Sequence, residues 1–375
     1  MNLNSDKRTV MTLDAGGTNF VFTAIRGNEQ AVEEITMPSN ADHLDKCLAN
    51  IVDGFSLIKS RLKIKPVAIS FAFPGPADYP NGIIGELPNL PAFKGDVALG
   101  EMLHEKFDLP VFINNDGDLY AYGEAIAGYL PYINKLLSET GSRKRYKNLI
   151  GLTLGTGFGA GIVHDGTLLT GDNSNAGEIW LLRDKLDQRT NIEEHVSIRG
   201  IKKVYSREAG IKIEDSPEPK DIFEICTGLK AGNKQAALKS FQEMGEAAGD
   251  AISTAVTLID GIVVVGGGLA GACDIFLPYI VKEMNSNFMS SDGKEFRRLV
   301  QNVYNLEDVS DLRKFLKGSA REIEVYGTTK KVTYDPEVRT GVGISKIGTS
   351  RAISIGAYAF ALSTLDKKHI RVPAK

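Results

Sequence analysis

The sequence has few cysteines, little net charge and no long apolar run. Its 375 residues contain three widely separated cysteines, at positions 47, 226 and 273, which indicates a reducing compartment and no zinc site built from cysteines. The formal net charge of −3 gives no reason to expect nucleic acid or an anionic membrane as a partner. Because the first residues are polar and no apolar run approaches membrane length, we expect a soluble, cytoplasmic protein.

The sequence also lacks the lysine-bearing phosphate loop G-x-x-x-x-G-K-[ST]. It has glycine turns instead, and the first of them follows an apolar, β-branched segment that predicts a strand. The residues of interest there are Asp14, Gly16, Gly17, Thr18 and Asn19. Glycine lets backbone N–H groups approach a phosphate, and a carboxylate beside them could orient a water on Mg²⁺. An ordinary hairpin turn is the alternative.

The same arrangement of strand, glycine turn and strand recurs after residue 148, where the turn contains Gly155, Thr156 and Gly157. Two such turns in a chain too long for a single core predict a duplicated α/β fold of two domains with a cleft between them. They would hold the β- and γ-phosphates of a nucleotide through backbone amides and through the two threonine hydroxyls, with Mg²⁺ neutralising the charge.

A third glycine turn, residues 266–271, matches G-x-G-x-x-G in its letters and includes Gly267 and Gly268. A dinucleotide site would need an acidic residue at the end of the next strand. The pattern after Ala272 predicts a helix, so Glu283 is a poor ribose ligand and the dinucleotide interpretation is disfavoured.

Periodicity and turn residues predict the remaining elements only coarsely, and residues 290–350 receive no assignment. The predicted helices cover 44–62, 97–107, 119–128, 238–259 and 351–362, and the predicted strands cover 66–73, 110–113, 148–154 and 261–265.

The strand at 110–113 delivers Asn115 and Asp116 at its carboxyl end, where open α/β sheets place ligands. Asp116 is the best candidate for a base that takes a hydroxyl proton during phosphoryl transfer, although its position also fits the N-cap of the helix that follows. Asn89, Asn115 and Glu178 could bind the hydroxyls of a sugar-like acceptor. Taken singly, each of these three could also be a turn residue or a surface polar group.

Together these segments resemble the ROK family, which comprises sugar kinases and sugar-responsive repressors of the actin-like ATPase superfamily. The resemblance runs from about residue 8 to 271, with Gly356-Ala357 near the end also similar. The matching segments are Asp14-Ala15-Gly16-Gly17-Thr18, Pro74-Gly75-Pro76, Pro88-Asn89-Leu90, Asn114-Asn115-Asp116-Gly117, the glycine run 155–161, Ala176-Gly177-Glu178-Ile179 and Gly266-Gly267-Gly268.

The resemblance implies that Asp116 is the catalytic base and that Asn89, Asn115 and Glu178 contact the sugar. It also implies that Glu193 is a second sugar-binding glutamate and that the third glycine turn lies against the adenosine of ATP. We expect a small domain of residues 1–116 plus 353–375, a larger domain of 117–352, and a homodimer.

The sequence departs from the family pattern at one loop. The family usually has a histidine three residues after the glutamate matched by Glu178, followed by a cysteine-rich zinc motif. Here that position is Leu181, and residues 182–191 contain no cysteine. Structural zinc is therefore expected to be absent, and a histidine contact to the sugar is missing unless His195 replaces it. The region 285–350 is also longer than in typical members.

Three functions follow from these observations. The first is an ATP-dependent hexose kinase, most simply one that phosphorylates glucose at its 6-hydroxyl. The second is a kinase for N-acetylglucosamine or N-acetylmannosamine, because the changed loop could accommodate a substituent at carbon 2. The third is a sugar-responsive regulator, which is disfavoured because only about eight residues precede the first strand, too few for a helix-turn-helix.

Overall fold

The computed structural model describes residues 3–87 and 90–370, and for Asn4 and residues 368–370 it describes the backbone only. The chain divides into two compact units. Unit 1 comprises Met1–Gly128, Gly161–Gly177 and Ile347–Lys375, and unit 2 comprises Tyr129–Ala160 and Glu178–Lys346. The domain limits expected from the sequence stay a prediction.

The first stretch of the chain alternates strands and helices as far as residue 126. In order, its elements are β1 (Val10–Ala15), β2 (Asn19–Arg26), β3 (Glu29–Gln30), β4 (Ile35–Pro38), α1 (Leu44–Arg61), β5 (Ala68–Ala72), β6 (Ala77–Asp78), β7 (Ile83–Glu86), β8 (Lys94–Val97), α2 (Leu99–Phe107), β9 (Val111–Asn114) and α3 (Asp116–Ile126).

The rest of the chain again contains both strands and helices. Its elements are α4 (Tyr129–Glu139), β10 (Leu149–Leu154), β11 (Phe158–His164), β12 (Thr167–Leu169), α5 (Ile198–Ala209), α6 (Pro219–Thr227), α7 (Lys234–Ile259), β13 (Ile262–Gly266), α8 (Cys273–Met284), β14 (Asn287–Met289), β15 (Glu295–Arg297), β16 (Asn302–Asn305), α9 (Val309–Lys317), β17 (Arg321–Glu324), β18 (Lys331–Tyr334), β19 (Arg339–Ile344) and α10 (Thr349–Ile370).

Two larger sheets share one plan. The first has the order β3-β2-β1-β5-β9, with β4 added beside β2, and the second has the order β12-β11-β10-β13-β19-β16. In the first, β1 pairs antiparallel with β2 and parallel with β5, and β5 pairs parallel with β9. In the second, β13 pairs parallel with both β10 and β19. The repeated plan confirms the duplicated α/β fold predicted from the sequence.

Phenylalanines fill the core between the first sheet and α1. The rings of Phe22 and Phe55 meet edge to face with centroids 5.2 Å apart, and Phe55 also contacts Phe71 and Phe107. All four side chains are buried, and each removes a large apolar area from water, so this cluster fixes the sheet whose carboxyl edge carries the polar residues.

Helix α10 packs closely against α3 because both helices present glycine at the crossing. A Cβ on Gly123 would lie 1.8 Å from the carbonyl oxygen of Ala352, and a Cβ on Gly356 would lie 1.8 Å from the carbonyl oxygen of Leu119. The predicted small-residue helix at 351–362 is therefore present, longer than expected, and it supports the helix that begins at Asp116.

Residues 290–350, which the sequence pattern left unassigned, supply two strands of the second sheet. β19 is buried along Arg339–Val342 yet contains Gly341 and Gly343, residues that are uncommon within strands. A Cβ on Gly341 would lie 2.6 Å from the Leu306 side chain. Close packing explains the glycine and also why propensity did not reveal the strand. Within residues 3–87 and 90–370, no helix is long and apolar enough to cross a bilayer.

Candidate active site

The first glycine turn joins β1 to β2 and is open to solvent at residues 16–19. The N–H of Gly16 donates to the carbonyl of Asn19 at 3.0 Å, and a Cβ on Gly16 would lie 2.9 Å from that same oxygen. The turn therefore closes tightly on itself and leaves Gly17 and Thr18 at its outer side. Such a turn can present backbone groups to an anion.

A buried serine, which the sequence pattern did not indicate as a site residue, supports this turn from behind. Ser39, at 2% exposure, donates its hydroxyl to the carbonyl of Gly17 at 2.6 Å, and its N–H donates to the carbonyl of Thr18 at 2.9 Å. Ser39 follows β4, which pairs with β2 beside the turn. A serine directly after a short strand carries no distinct sequence signal, so only the fold reveals this support.

Asp14 and Asp116 lie at the same edge of the first sheet. The register aligns Asp14 on β1 with Ala72 on β5, and Ala72 with Asn114 on β9. Neighbouring strands lie about 4.8 Å apart, so β1 and β9 are separated by roughly 10 Å at this edge. Asp116 follows Asn114 by two residues, and the sheet therefore brings the two predicted aspartates together at its carboxyl end.

Helix α3 is capped by Asn115 rather than by Asp116. The Asn115 side-chain oxygen accepts from the N–H of Asp118 at 2.9 Å, and Asp116 is the first helical residue. Asn115 therefore provides the helix cap that was the alternative role for Asp116. Asp116 Oδ1 accepts from the N–H of Gly117 at 3.0 Å, a position where the helix dipole favours a negative charge.

The surroundings nevertheless raise the pKa of Asp116 above the ordinary value of an aspartate. Removal of water by the surrounding protein is the largest cause, the negative charge of Asp14 adds to it, and the backbone N–H groups act against it. Asp116 is nevertheless exposed to solvent on one side. A raised pKa gives the carboxylate a stronger affinity for a proton, which suits a general base.

In unit 2 the second and third glycine turns lie side by side, at the carboxyl ends of the paired strands β10 and β13. The N–H of Gly155 donates to the carbonyl of Gly157 at 3.0 Å, and a Cβ on Gly155 would lie 3.9 Å from the nitrogen of Gly268. Gly267 has a φ of +87°, and a Cβ there would lie 2.3 Å from the carbonyl of Leu154. The third turn therefore depends on glycine at position 267, and Thr156 of the second turn is exposed.

Glu193 contacts the second glycine turn directly. Its Oε2 accepts from the N–H of Phe158 at 2.9 Å, and a Cβ on Gly157 would lie only 2.6 Å from the same oxygen. Glycine is thus required at position 157 for Glu193 to reach the backbone. Glu193, predicted from the family resemblance, therefore contacts the second glycine turn, which was predicted from its glycines.

Glu178 is bound by Trp180, the single tryptophan of the chain. The indole N–H of Trp180 donates to Glu178 Oε2 in a short hydrogen bond, and both side chains are half-buried. Trp180 was not among the predicted site residues, although a lone tryptophan two residues after a candidate sugar ligand is a signal that could have indicated it.

His195 is occupied within unit 2. The ring is 6% exposed, its Nδ1 is hydrogen-bonded to the fully buried Asp184, and its Nε2 lies 3.8 Å from Glu243. Carboxylates therefore face both ring nitrogens, which argues against a sugar contact by His195. Leu181 is 58% exposed. Asn89 lies outside the described residues.

Metal-ligating side chains are sparse in the part of the chain that the structure describes. No group of three or more histidine, cysteine, aspartate or glutamate residues there could hold a metal ion. Mg²⁺ does not need three protein ligands, because it retains several waters and commonly takes one or two carboxylates together with substrate phosphates. Asp14, half-buried beside the first glycine turn, is a donor of that kind.

Comparison with known proteins identifies the family. The sequence matches the family model described as "ROK family" over residues 10–305. It is 27% identical over 279 residues to an N-acetyl-D-glucosamine kinase of Vibrio cholerae, covering 68% of this chain and 83% of that protein. It is 24% identical over 284 residues to a glucokinase of Thermotoga maritima, covering 72% and 84%.

A solved structure resembles nearly the whole chain. The crystal structure of a glucokinase from Parabacteroides distasonis aligns with a TM-score of 0.86 and 53% identity, covering 97% of this chain and 99% of that one. The similarity confirms the actin-like ATPase fold predicted from the sequence. The chain belongs to the ROK family and is a sugar kinase.

Proposed function

We propose that this kinase transfers the γ-phosphoryl group of Mg-ATP to the 6-hydroxyl of glucose. The observation that carries the choice of glucose is the 53% identity, over nearly the whole chain, to a glucokinase. The chemistry is supported by an aspartate with a raised pKa at the carboxyl edge of the first sheet.

Two lysine-free turns would bind the phosphates. The exposed turn at Gly16, Gly17, Thr18 and Asn19 would supply backbone N–H groups and a hydroxyl, and the turn at residues 155–157 would do the same. Bound Mg²⁺ would neutralise phosphate charge, and Asp14 would hold one of its waters. Gly267 and Gly268 would lie against the adenosine, since bare backbone permits a close approach.

Asp116 would accept the proton of the attacking hydroxyl. Its carboxylate takes the hydroxyl hydrogen as the oxygen bonds to the transferred phosphorus, and the bond to the leaving ADP breaks. Phosphoryl transfer depends mainly on positioning and charge stabilisation, so one well-placed base suffices. The first turn of α3 fixes the Asp116 backbone, because Asn115 caps it and α10 packs against it.

Asn89, Asn115, Glu178 and Glu193 would bind the sugar hydroxyls. Glu178 is oriented by Trp180 and Glu193 by the N–H of Phe158. Oriented carboxylates discriminate strongly against analogues that lack the hydroxyl they bind, because a buried acceptor is then left unpaired.

One observation favours the second candidate, a kinase for N-acetylglucosamine or N-acetylmannosamine. The exposed Leu181 places an apolar side chain three residues from Glu178, and an acetamido methyl group at carbon 2 could contact it. The 27% identity to an N-acetyl-D-glucosamine kinase is consistent with this alternative.

A coupled assay of ADP release tests the proposal. Glucose, mannose, fructose, N-acetylglucosamine and N-acetylmannosamine are compared at matched concentrations, each with and without Mg²⁺. We expect the highest kcat/KM with glucose and no turnover without Mg²⁺. A higher kcat/KM with either acetylated sugar would establish the second candidate, and no stimulation by any sugar would reject both.

We also infer a homodimer, in which the hairpin β17–β18 contacts a second copy. Its register places Ile323, Val332 and Tyr334 on one face, where they are 39%, 38% and 47% exposed, and Tyr326 at the tip is fully exposed. A two-stranded hairpin alone is marginal in water, so a covered apolar face would stabilise it. Light scattering should give the dimer mass for the wild type and the monomer mass after Ile323→Ser with Tyr334→Ser. A wild-type monomer would contradict the inference.

Two further expectations remain predictions. Metal analysis of the purified protein should find no stoichiometric zinc, and one zinc per chain would refute the expected absence. A cytoplasmic location is expected for an enzyme that uses cellular ATP, and fractionation of the source cells would test it.

A further inference from the structure

A hairpin-like loop runs from Leu182 to Ile192 and returns the chain to Glu193. The N–H of Ile192 donates to the carbonyl of Leu182 at 2.8 Å, and the N–H of Asp184 donates to the carbonyl of Thr190 at 3.1 Å. Most residues of the loop are exposed or only half-buried. The N–H of Thr190 also donates to the carbonyl of Asp187 at 3.1 Å, so the backbone closes the loop on itself, while few of its side chains are buried against the rest of unit 2.

The loop is anchored by one buried hydrogen-bonded pair, Asp184 and His195. Asp184 is fully buried and uses both oxygens: Oδ1 accepts from the N–H of Leu186 at 2.8 Å, and Oδ2 is hydrogen-bonded to His195 Nδ1. Lys185 adds ion pairs at 3.2 Å to Glu246 on α7 and at 2.7 Å to Glu283 on α8. A buried carboxylate is strongly unfavourable without its partner, so the Asp184–His195 pair restricts the loop to one position.

His195 belongs to a short segment that holds the second glycine turn from two sides. Two residues before it, Glu193 accepts from the N–H of Phe158. Three residues after it, the N–H of Ile198 donates to the carbonyl of Gly155 at 2.9 Å. Residues 193–198 therefore carry one candidate sugar ligand and also support the turn proposed to bind phosphate.

Ser197 connects these contacts to helix α5. Its hydroxyl donates to the carbonyl of Glu193 at 2.7 Å and accepts from the N–H of Gly200 at 3.1 Å, which caps the helix. A Cβ on Gly200 would lie 2.3 Å from the carbonyl of His195. The segment is thus packed too tightly for His195 to move without displacing Glu193.

We propose that Asp184 and His195 are positioning residues, whose buried hydrogen bond holds Glu193 and the second glycine turn in the geometry that binds sugar and ATP together. The kinetic part of this inference rests on the proposed function. Neither residue need touch a substrate. Losing the pair should weaken the binding of both substrates at once, because one segment supports both sites.

Variants at position 195 separate positioning from general stability. His195→Leu removes the partner of Asp184, whereas His195→Asn retains a donor at nearly the same place as Nδ1. Asp184→Ala is matched by Asp187→Ala in the same loop, since Asp187 pairs with Arg189, whose side chain is 89% exposed. Each variant is compared with the wild type at a temperature well below its measured Tm.

We expect His195→Leu and Asp184→Ala to raise KM for both glucose and ATP by about tenfold, because small displacements of binding groups have large effects. His195→Asn should stay within about threefold of the wild type, and Asp187→Ala should be unchanged. The inference is overturned if folded His195→Leu keeps both wild-type KM values, or if only Tm falls.

Trp180 gives a readout that does not depend on catalysis. It is the only tryptophan, it donates to Glu178, and it lies two residues before the anchored loop. Its emission should shift to the red in His195→Leu and recover in His195→Asn. If neither the wild type nor any variant phosphorylates a sugar while this emission pattern is observed, the proposed function fails and the positioning role of Asp184 and His195 is retained. Unchanged emission in His195→Leu would refute the positioning itself.

Discussion

Asp116 combines a helix N-terminus, which favours its charge, with surroundings that disfavour it. The net effect raises its pKa in the folded protein above the ordinary value. Folding therefore favours the protonated carboxyl. The contribution of Asp116 to the free energy of unfolding is complete at pH below the ordinary aspartate pKa, and it is lost as pH rises through the raised pKa. The residue proposed as the base is then a source of instability at neutral pH.

Replacing Asp116 with asparagine should for that reason stabilise the protein at high pH. Asparagine stays neutral, so Tm of Asp116→Asn should exceed that of the wild type near pH 8, and the difference should vanish near pH 4. Thermal melts at the two pH values test this. A lower Tm for Asp116→Asn at pH 8 would show that the charge stabilises the fold.

The contact from Ser39 to the first glycine turn predicts a specific defect in nucleotide binding. Ser39→Ala removes the hydroxyl that donates to Gly17 at 2.6 Å and leaves a carbonyl without that donor, at a loss of about 1 kcal/mol. We expect KM for ATP to rise about fivefold, with little change in KM for glucose.

Ser56→Ala is the matched control, because its hydroxyl donates to the Val52 carbonyl within the exposed face of α1. An equal rise of KM for ATP in both variants, or a rise in neither, would contradict the role given to Ser39.

The individual candidate site residues were predictable to different degrees. Asp14, Asp116 and the glycines follow from strand ends and turns, which are local signals. Glu193 was reached only through the family resemblance. Ser39 and Asp184 could not have been found, because their importance lies in contacts between segments distant in sequence: Ser39 with Gly17, and Asp184 with His195.

Among the elements, the crossing of α3 and α10 is the most sensitive to a single added methyl group. Gly356→Ala would place a Cβ 1.8 Å from the carbonyl of Leu119, so the helices must separate or bend, at a cost of about 2 kcal/mol. We expect a clearly lower Tm and a lower kcat, since α3 carries Asp116.

Gly271→Ala serves as its control for stability, because a Cβ at Gly271 would meet nothing within 4 Å. If Gly356→Ala melts at the same temperature as Gly271→Ala, the close contact does not constrain the two helices.

Long amphipathic helices were the easiest elements to predict. The pattern over 44–62 corresponds to α1 at Leu44–Arg61, and that over 238–259 falls within α7 at Lys234–Ile259. β16 and β19 were missed, because β19 has glycine at positions packed against other side chains. Tertiary packing determined that strand, and a single sequence does not display tertiary packing.

At the scale of the whole molecule, duplication was the informative signal. Two strand, turn and strand segments predicted two sheets of one plan, and the sheets have that plan. The two hairpins β14–β15 and β17–β18 were beyond prediction, since their strands are short and exposed. They contribute nothing to either sheet.

The central claim is that Asp116 is the base of a glucose kinase, and the pH dependence of turnover tests it most directly. Initial rates of ADP release with saturating Mg-ATP give kcat/KM for glucose from pH 4 to pH 9, for the wild type and for Asp116→Asn.

We predict that wild-type kcat/KM falls on the acid side with a midpoint above the ordinary aspartate pKa, as Asp116 becomes protonated. Asp116→Asn should lose about 10²- to 10⁴-fold in kcat at every pH, with KM for glucose much less affected. An Asp116→Asn enzyme with wild-type kcat and the same acid limb would contradict the account.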